Sequence, residues 1–264
     1  MISPTNVVLG AASGMGAATA ALLAPRGRLL LADLDATKLS EVAAALGGDV
    51  DTIVCDVTRQ VDVDALVEAT GTLGALVVTA GLSPSMARGQ MIYDVNLIGA
   101  ERVVRAFESI VAAGSAAVVF ASMAGHLVTA DPDIDAILDE PDAADLFDRL
   151  DAAGLDSDEP GFAYALSKRG VVRLVQRHAS AWGAKGGRIL SLSPGIIDTG
   201  MGQLEASNEP AMATMVETSP LARMAAAEEV AKVAAFLVSE DASFMTATDV
   251  LVDGGCVAVT GGIR

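Results

Sequence analysis

Short, continuous apolar runs recur along the chain, separated by stretches whose apolar residues fall at helical spacing. Asn6–Leu9, Arg28–Asp33, Thr52–Asp56, Gly74–Thr79, Ala116–Ala121, Arg188–Ser193 and Asp249–Asp253 read as strands. They do not alternate apolar with polar residues, which predicts parallel strands covered on both faces. Helical patterns fill 14–25, 36–46, 60–70, roughly 86–113, 162–182 and 226–239. In the last of these, Val230, Val233, Ala234, Leu237 and Val238 share one face. Strand–helix repetition of this kind predicts an α/β fold built on a doubly wound parallel sheet of about seven strands. With no Pro/Gly/Ser-rich linker and no repeat, one domain across residues 1–264 is expected.

Two segments break the rhythm. Residues 126–160 contain Pro132, Pro141 and Pro160, with apolar positions Ile134, Ile137, Leu138, Leu146, Phe147 and Leu150, and predict two short helices inserted after the fifth strand. Residues 196–225 hold Met201, Met212, Met215 and Met224.

Charge sharpens this picture. The net charge is −17, and the stretch 131–160 carries ten Asp and two Glu against a single Arg. Such an acidic chain repels phosphate backbones, which excludes nucleic-acid binding as a first expectation. Two Cys (Cys55, Cys256) and two His (His126, His178) are a poor inventory for a disulfide framework or a metal site. The acids of the insertion lack a D-x-D-x-D-G loop, so calcium is not expected either. No apolar run approaches a membrane span, and the N-terminus lacks a basic n-region, so a reduced, cytoplasmic protein is expected.

The first candidate for chemistry is Gly10-Ala11-Ala12-Ser13-Gly14-Met15-Gly16, which follows the first strand and opens the first helix. Glycine lets the backbone turn tightly and approach a pyrophosphate, whose charge the helix N-terminus favours. A glycine turn that merely packs helix on strand is the competing explanation. Asp33 ends the second strand, where a carboxylate accepts hydrogen bonds from adenosine ribose hydroxyls and repels a 2′-phosphate. No Arg or Lys stands in the glycine turn or among Leu34, Asp35, Ala36 and Thr37, so NAD is favoured over NADP. Asp33 or Asp35 could equally cap the second helix.

The second candidate is Tyr164-Ala165-Leu166-Ser167-Lys168, which puts Tyr and Lys on one helix face. With only two Tyr in the chain, such a pair arises by chance in roughly 3% of comparable sequences. Taken with the glycine turn, Asp33, Cys55-Asp56-Val57, Thr79-Ala80-Gly81, Asn96, Ser122, PGIIDT at 194–199 and Val252-Asp253-Gly254-Gly255, the pair resembles the short-chain dehydrogenase/reductase family over essentially the whole chain. The likeness extends to bacterial hydroxysteroid dehydrogenase/carbonyl reductases, which carry a helical insertion before the catalytic Tyr.

The resemblance implies hydride transfer between NAD and a secondary alcohol or ketone. Tyr164 would be the general acid–base, with Lys168 lowering its pKa and holding the nicotinamide ribose. Ser122 would stabilise the substrate oxygen, and Asn96 would anchor a water beside Lys168. Gly10, Ser13, Gly14, Met15 and Gly16 would cradle the pyrophosphate. Asp33 would take the ribose, Asp56 and Val57 the adenine, Ala80 and Gly81 the strand-end wall, and Ile197 and Thr199 the carboxamide. A homo-oligomer, dimer or tetramer, is expected from the same resemblance. Simpler roles exist for Ser122 (a strand-end turn), Asn96 (a helix-interior polar residue) and Thr199 (a helix N-cap).

Departures from the family pattern are also visible. Leu9 precedes the first Gly where relatives carry Thr, and Thr79 replaces an Asn that links neighbouring strands. Ser122 and Tyr164 lie 42 positions apart, against about a dozen intervening residues in most relatives. The insertion is expected to reshape a subunit contact or roof the substrate cleft; a solvated acidic excursion is the alternative. The Met-rich stretch 196–225 corresponds to the family's substrate loop and favours a hydrophobic or alicyclic, steroid- or terpenoid-like substrate, unless those Met merely pack helix on sheet. A non-catalytic dinucleotide-binding sensor or scaffold is the rival from another class. A serine hydrolase lacks its G-x-S-x-G elbow, and a nucleoside triphosphatase its phosphate loop.

Overall fold

In the computed structural model, residues 4–129, 131–208 and 210–260 are described. The strands are β1 (Thr5–Leu9), β2 (Leu29–Asp33), β3 (Val50–Val54), β4 (Leu73–Val78), β5 (Ala116–Phe120), β6 (Arg188–Pro194), β7 (Ile197–Asp198), β8 (Ala225–Ala226) and β9 (Asp249–Val252). Seven of them form one sheet in the order β3-β2-β1-β4-β5-β6-β9, with every pairing parallel. This is the expected doubly wound α/β fold. Strand order reverses between β1 and β4, and that switch point opens a crevice beyond the strands' carboxyl ends. The short β7–β8 pair has no apolar run to announce it; it ties the two ends of the 196–225 segment together.

The helices are α1 (Gly14–Leu23), α2 (Ala36–Leu46), α3 (Gln60–Thr70), α4 (Gly89–Tyr93), α5 (Ala100–Glu108), α6 (Ala124–Leu127), α7 (Pro132–Leu138), α8 (Leu146–Ala152), α9 (Pro160–Ala184), α10 (Gly200–Asn208), α11 (Pro210–Thr218), α12 (Ala227–Leu237) and α13 (Cys256–Thr260). One face of the sheet buries Val7, Val119 and Leu76 against Val103, Phe107, Leu174 and Trp182 of α5 and α9. The other buries Val8, Leu31, Val118 and Leu190 against Ala20, Leu39, Val230 and Ala234 of α1, α2 and α12. Apolar residues on both faces of each central strand explain the absence of alternation.

Two expectations need correction. The third strand runs two residues earlier than the apolar pattern placed it, because an edge strand buries less and leaves Val54 exposed. The single helix expected over 86–113 is broken: α4 and α5 are joined by a π-helical turn, Asp94–Gly99. The widened turn lets Asn96 direct its amide to the backbone of Leu82, and Gly99 fits because a Cβ there would strike Val57 at 2.7 Å.

The insertion does contain two short helices, α7 and α8. Asp131 accepts the first backbone N–H groups of α7 ahead of Pro132, and Glu159 does the same for α9 ahead of Pro160. Ile137, Leu138, Leu146 and Leu150 join Ile92, Tyr93, Leu97, Ala163 and Leu166 in a satellite core. Asp135 of α7 and Asp139 just beyond it are not left to solvent. Arg169, Arg173 and Arg177, one helical turn apart on α9, form a ladder with them. Arg169 forks onto both oxygens of Asp135 (2.6 and 2.7 Å), Arg173 bridges Asp135 and Asp139, and Arg177 bridges Asp139 and Glu101. Forked guanidinium–carboxylate pairs of this kind fix orientation as well as charge.

Glu101 anchors the lower end of the ladder at 3% exposure, with Arg105, Arg177 and His178 all within 2.9 Å. Burial alone would raise its pKa, but His178, Arg177 and Arg105 together hold it down to about 2. A carboxylate depressed in this way stabilises the fold above its ordinary pKa of 4.5 and loses that contribution as pH falls toward 2. Glu101→Gln is therefore expected to lower unfolding free energy by roughly 2–4 kcal/mol at neutral pH, with the difference shrinking below about pH 4. Urea unfolding of both proteins across pH checks this.

Candidate active site

The glycine turn lies where β1 enters the crevice. Gly10 has φ +92°, and a Cβ there would meet the Ala80 nitrogen and Thr79 Oγ1 at 2.5 Å. At Gly16 a Cβ would fall 2.0 Å from the Gly10 carbonyl oxygen, so only glycine lets α1 start this close to β1. Ser13 is exposed, in extended backbone, and its side chain makes no cap on α1. The first N–H groups of α1, including those of Gly14 and Met15, thus face the crevice without a side-chain acceptor, the arrangement that suits an anion. Thr79, in place of the family Asn, sets its hydroxyl 3.0 Å from both the Leu9 and Gly10 carbonyls and so joins β4 to β1.

Asp33 accepts one backbone N–H on each oxygen, from Ala12 at 3.0 Å and from Asp35 at 3.1 Å. The carboxylate is thereby fixed beside the glycine turn with lone pairs remaining for further donors. Capping of α2 falls to Asp35, which accepts from the Lys38 N–H. Asp56 accepts from Thr58, and Val57 is buried beneath Gly99. Ile197 is buried, and Thr199 approaches Gly14 at 3.5 Å from a Cβ built there. The Thr199 hydroxyl also accepts from the Gly202 N–H, so the N-cap role holds as well.

Ser122 follows β5, and Tyr164 and Lys168 lie on α9, all on the same side of the crevice. Lys168 is buried, and its ammonium donates to the Phe120 carbonyl at 2.9 Å. A Cβ on Gly81 would come within 3.4 Å of that ammonium and 3.1 Å of Asn96 Oδ1, so the glycine leaves the Nζ open on its cleft side. Asn96 is locked by a two-way bond, accepting from the Leu82 N–H (2.7 Å) and donating to the Leu82 carbonyl (2.9 Å). Burial pulls the Lys168 pKa down to about 8.

The Tyr164 phenol departs from expectation. Burial pushes its pKa above the ordinary value; the Ser122 side chain opposes the rise, and the negative charge of Glu205 adds to it. Lys168 makes no hydrogen bond to the phenol. Its ammonium stands 5.9 Å from the ring centroid, is itself desolvated, and directs a bond to a strand-end carbonyl instead of the phenol oxygen. Met212, Met215 and Met224 pack with Met123, Ile196, Cys256 and Val257, which is helix-on-core packing. Glu205 and the Phe120 carbonyl went unread in the sequence. A main-chain acceptor carries no residue signature, and Glu205 belongs to no motif.

The chain is similar in sequence and fold to known proteins. The family model described as enoyl-(acyl carrier protein) reductase matches residues 10–136 and 153–257, and so omits the middle of the insertion. The short-chain dehydrogenase/reductase bsc3 of Alternaria brassicicola is 33% identical over 98% of this chain and 97% of its own. The 3-alpha-hydroxysteroid dehydrogenase/carbonyl reductase of Comamonas testosteroni is 30% identical over 96% of each chain. Levodione reductase superimposes with a TM-score of 0.76 at 28% identity, over 97% of this chain and 98% of its own.

Both tyrosines, Tyr93 and Tyr164, are pushed above the ordinary phenol value by burial. Alkaline titration of the protein alone, followed by phenolate absorbance, is expected to show no step at or below pH 10; a step there, lost in Tyr164→Phe, would contradict the placement of Tyr164.

Proposed function

This chain belongs to the short-chain dehydrogenase/reductase family, and from that premise we propose that it oxidises a secondary alcohol, or reduces the matching ketone, using NAD. One observation supports the reading: Ser122 acts on the Tyr164 phenol, and the Lys168 ammonium sits on the Phe120 carbonyl at the end of β5, next to Gly81 after β4, while the start of α1 after β1 has no side-chain cap. Bound NAD would supply the nicotinamide carbon that exchanges hydride with the carbinol carbon.

The residues then have distinct tasks. The N–H groups at Gly14, Met15 and Gly16, approached over Gly10 and Ser13, would hold the pyrophosphate. Asp33 would accept from the adenosine ribose hydroxyls through its remaining lone pairs and oppose a 2′-phosphate. Lys38, the first cation after Asp33 in sequence, pairs with Asp35 at 3.2 Å. Asp56 and Val57 would border the adenine, Ala80 and Gly81 the floor of the cleft, and Ile197 and Thr199 the carboxamide. Lys168 would donate to the nicotinamide ribose through the face Gly81 leaves open. Tyr164 would move the proton at the substrate oxygen, and Ser122 would donate to that oxygen as charge develops on it. A phenol raised by burial keeps its proton available for ketone reduction but is a weaker acid; to give that proton up, or to act as a base, it needs nearby positive charge, such as Lys168, to favour the phenolate. Asn96, pinned to Leu82, would present its backbone to a water beside Lys168.

An alicyclic, steroid- or terpenoid-like substrate is supported by the relatives named above rather than by the Met residues, most of which pack on the core. Self-association is supported by β9 standing last in the strand order of the described sheet and by the exposed Phe236 and Phe244. The α9 face carrying Arg169, Arg173 and Arg177 is taken up by the insertion. Cys55 and Cys256 are both free and buried, which suits the reducing cytoplasm.

Assay of cyclic alcohols and ketones with each dinucleotide tests the reading. NAD is expected to be preferred at least about tenfold, with Asp33→Ser narrowing the preference. A preference for NADP would overturn the Asp33 assignment. Tyr164→Phe is expected to lower kcat by about 10²–10⁴ while NAD affinity stays within about twofold; retained turnover would remove Tyr164 from its role.

A further inference from the structure

Helix α10 is built inside out. Its Met201 and Leu204 are exposed at 37% and 42%, whereas its acid, Glu205, is 8% exposed and is the helix's buried residue. An ordinary amphipathic helix does the reverse, because burying a charge is costly without a partner. Among the described residues Glu205 has no cationic partner within salt-bridge distance. Its Oε1 accepts the Ser85 N–H at 2.8 Å, and no hydrogen bond occupies Oε2.

The placement of this carboxylate is informative. Ser85 lies on the loop leaving β4, four residues beyond Gly81, which abuts the Lys168 ammonium. Helix α10 leaves β7 directly after Thr199, which overhangs Gly14. The Glu205–Ser85 bond therefore joins the two walls of the cleft, and Asn208, donating to Ser85 Oγ at 2.9 Å, reinforces the same contact. The charge reaches the Tyr164 phenol, whose pKa it helps to raise. A carboxylate turned inward on a single backbone N–H, with no cation beside it, is not explained by packing, since a Gln there would keep that bond without the charge.

We propose that Glu205 is a specificity-determining residue whose free oxygen receives a hydrogen-bond donor of the substrate. The enzyme is thereby directed to ring alcohols bearing a second hydroxyl or an amine and turned away from carboxylates. The inference rests on the oxidoreductase reading above and names the substrate class for that same cleft. An anion entering the cleft would meet the repulsion of a second negative charge in a medium of low dielectric. A donor instead bonds an oxygen that no group among the described residues occupies, and polar pockets discriminate most strongly through partners left unpaired.

The test pairs two small probes of like shape, cyclohexylammonium and cyclohexanecarboxylate, titrated calorimetrically into the NADH-loaded protein. Wild type is expected to bind the ammonium at least about tenfold more tightly than the carboxylate, and Glu205→Gln to bring the two within about threefold. Gln keeps an acceptor for the Ser85 N–H, so the two cleft walls stay joined. Asn208→Ala loosens the same contact without changing charge and is expected to shift both probes alike. Equal affinities in wild type, no measurable binding of either probe, or an unchanged preference in Glu205→Gln would overturn the proposal. In turnover, cyclohexane-1,4-diol is expected to surpass cyclohexanol in kcat/KM, and Glu205→Gln to erase that margin. Failure of every alcohol and ketone to turn over would instead count against the oxidoreductase reading, which the probe titration does not measure.

Discussion

A buried ammonium is the constraint around which this molecule is arranged. Lys168 sits 5% exposed at the top of the sheet with its charge directed to the carbonyl of Phe120, the last residue of β5. An ion stripped of water in this way is tolerable only with oriented acceptors close by. The neighbouring structure is consistent with that demand. Gly81 carries no side chain, α9 runs close enough for its Gly170 to leave no room for a Cβ against Leu97, and the turn around Asn96 widens so that its amide closes on Leu82. Burial lowers the Lys168 pKa to about 8, so the ammonium persists at neutral pH but at a cost that the rest of the fold must offset.

The acidic insertion shows how local charge and global charge can differ in meaning. Its composition suggests a solvated, self-repelling excursion, and much of its surface is indeed exposed. Yet Asp135 and Asp139 meet three arginines spaced by one turn along α9, immediately after Lys168 in sequence. With the apolar residues of α7 and α8 packed beneath, the excursion is a second shell of structure clasping the outer face of the helix that carries Tyr164 and Lys168. Orientation of that helix is thus held from the sheet side by apolar packing and from the outer side by forked ion pairs.

How much of this could be read from the chain varies with the physics involved. Strand positions were legible because residues buried on both faces must be apolar without alternation, as Val118 and Val119 illustrate. The glycine turn was legible because Gly10 and Gly16 answer to backbone clashes of 2.5 and 2.0 Å, a demand a single residue type satisfies. The break at Asp94–Gly99 was not, since a widened turn keeps helical periodicity nearly intact. The Met residues left two readings open, because the same flexible side chain suits a ligand and an irregular core contact equally. Glu205 gave no sign, because an acid in a polar helix reads as solvent-facing until the register of that helix is known.

The sequence by itself determined the order of strands and helices, the glycine-lined turn, the one-turn spacing of Tyr164 and Lys168, and the acid at the end of β2. Each is a local demand, set by periodicity, backbone clearance or residue type over a few positions. Only the tertiary structure decided that Lys168 points at a strand-end carbonyl, that burial raises the Tyr164 phenol in the protein alone, that the insertion's acids belong to the arginines of α9, and that α10 turns its carboxylate inward. These depend on which groups from distant parts of the chain share a desolvated space, where the strength of a charge is fixed by its neighbours and by the water excluded around it.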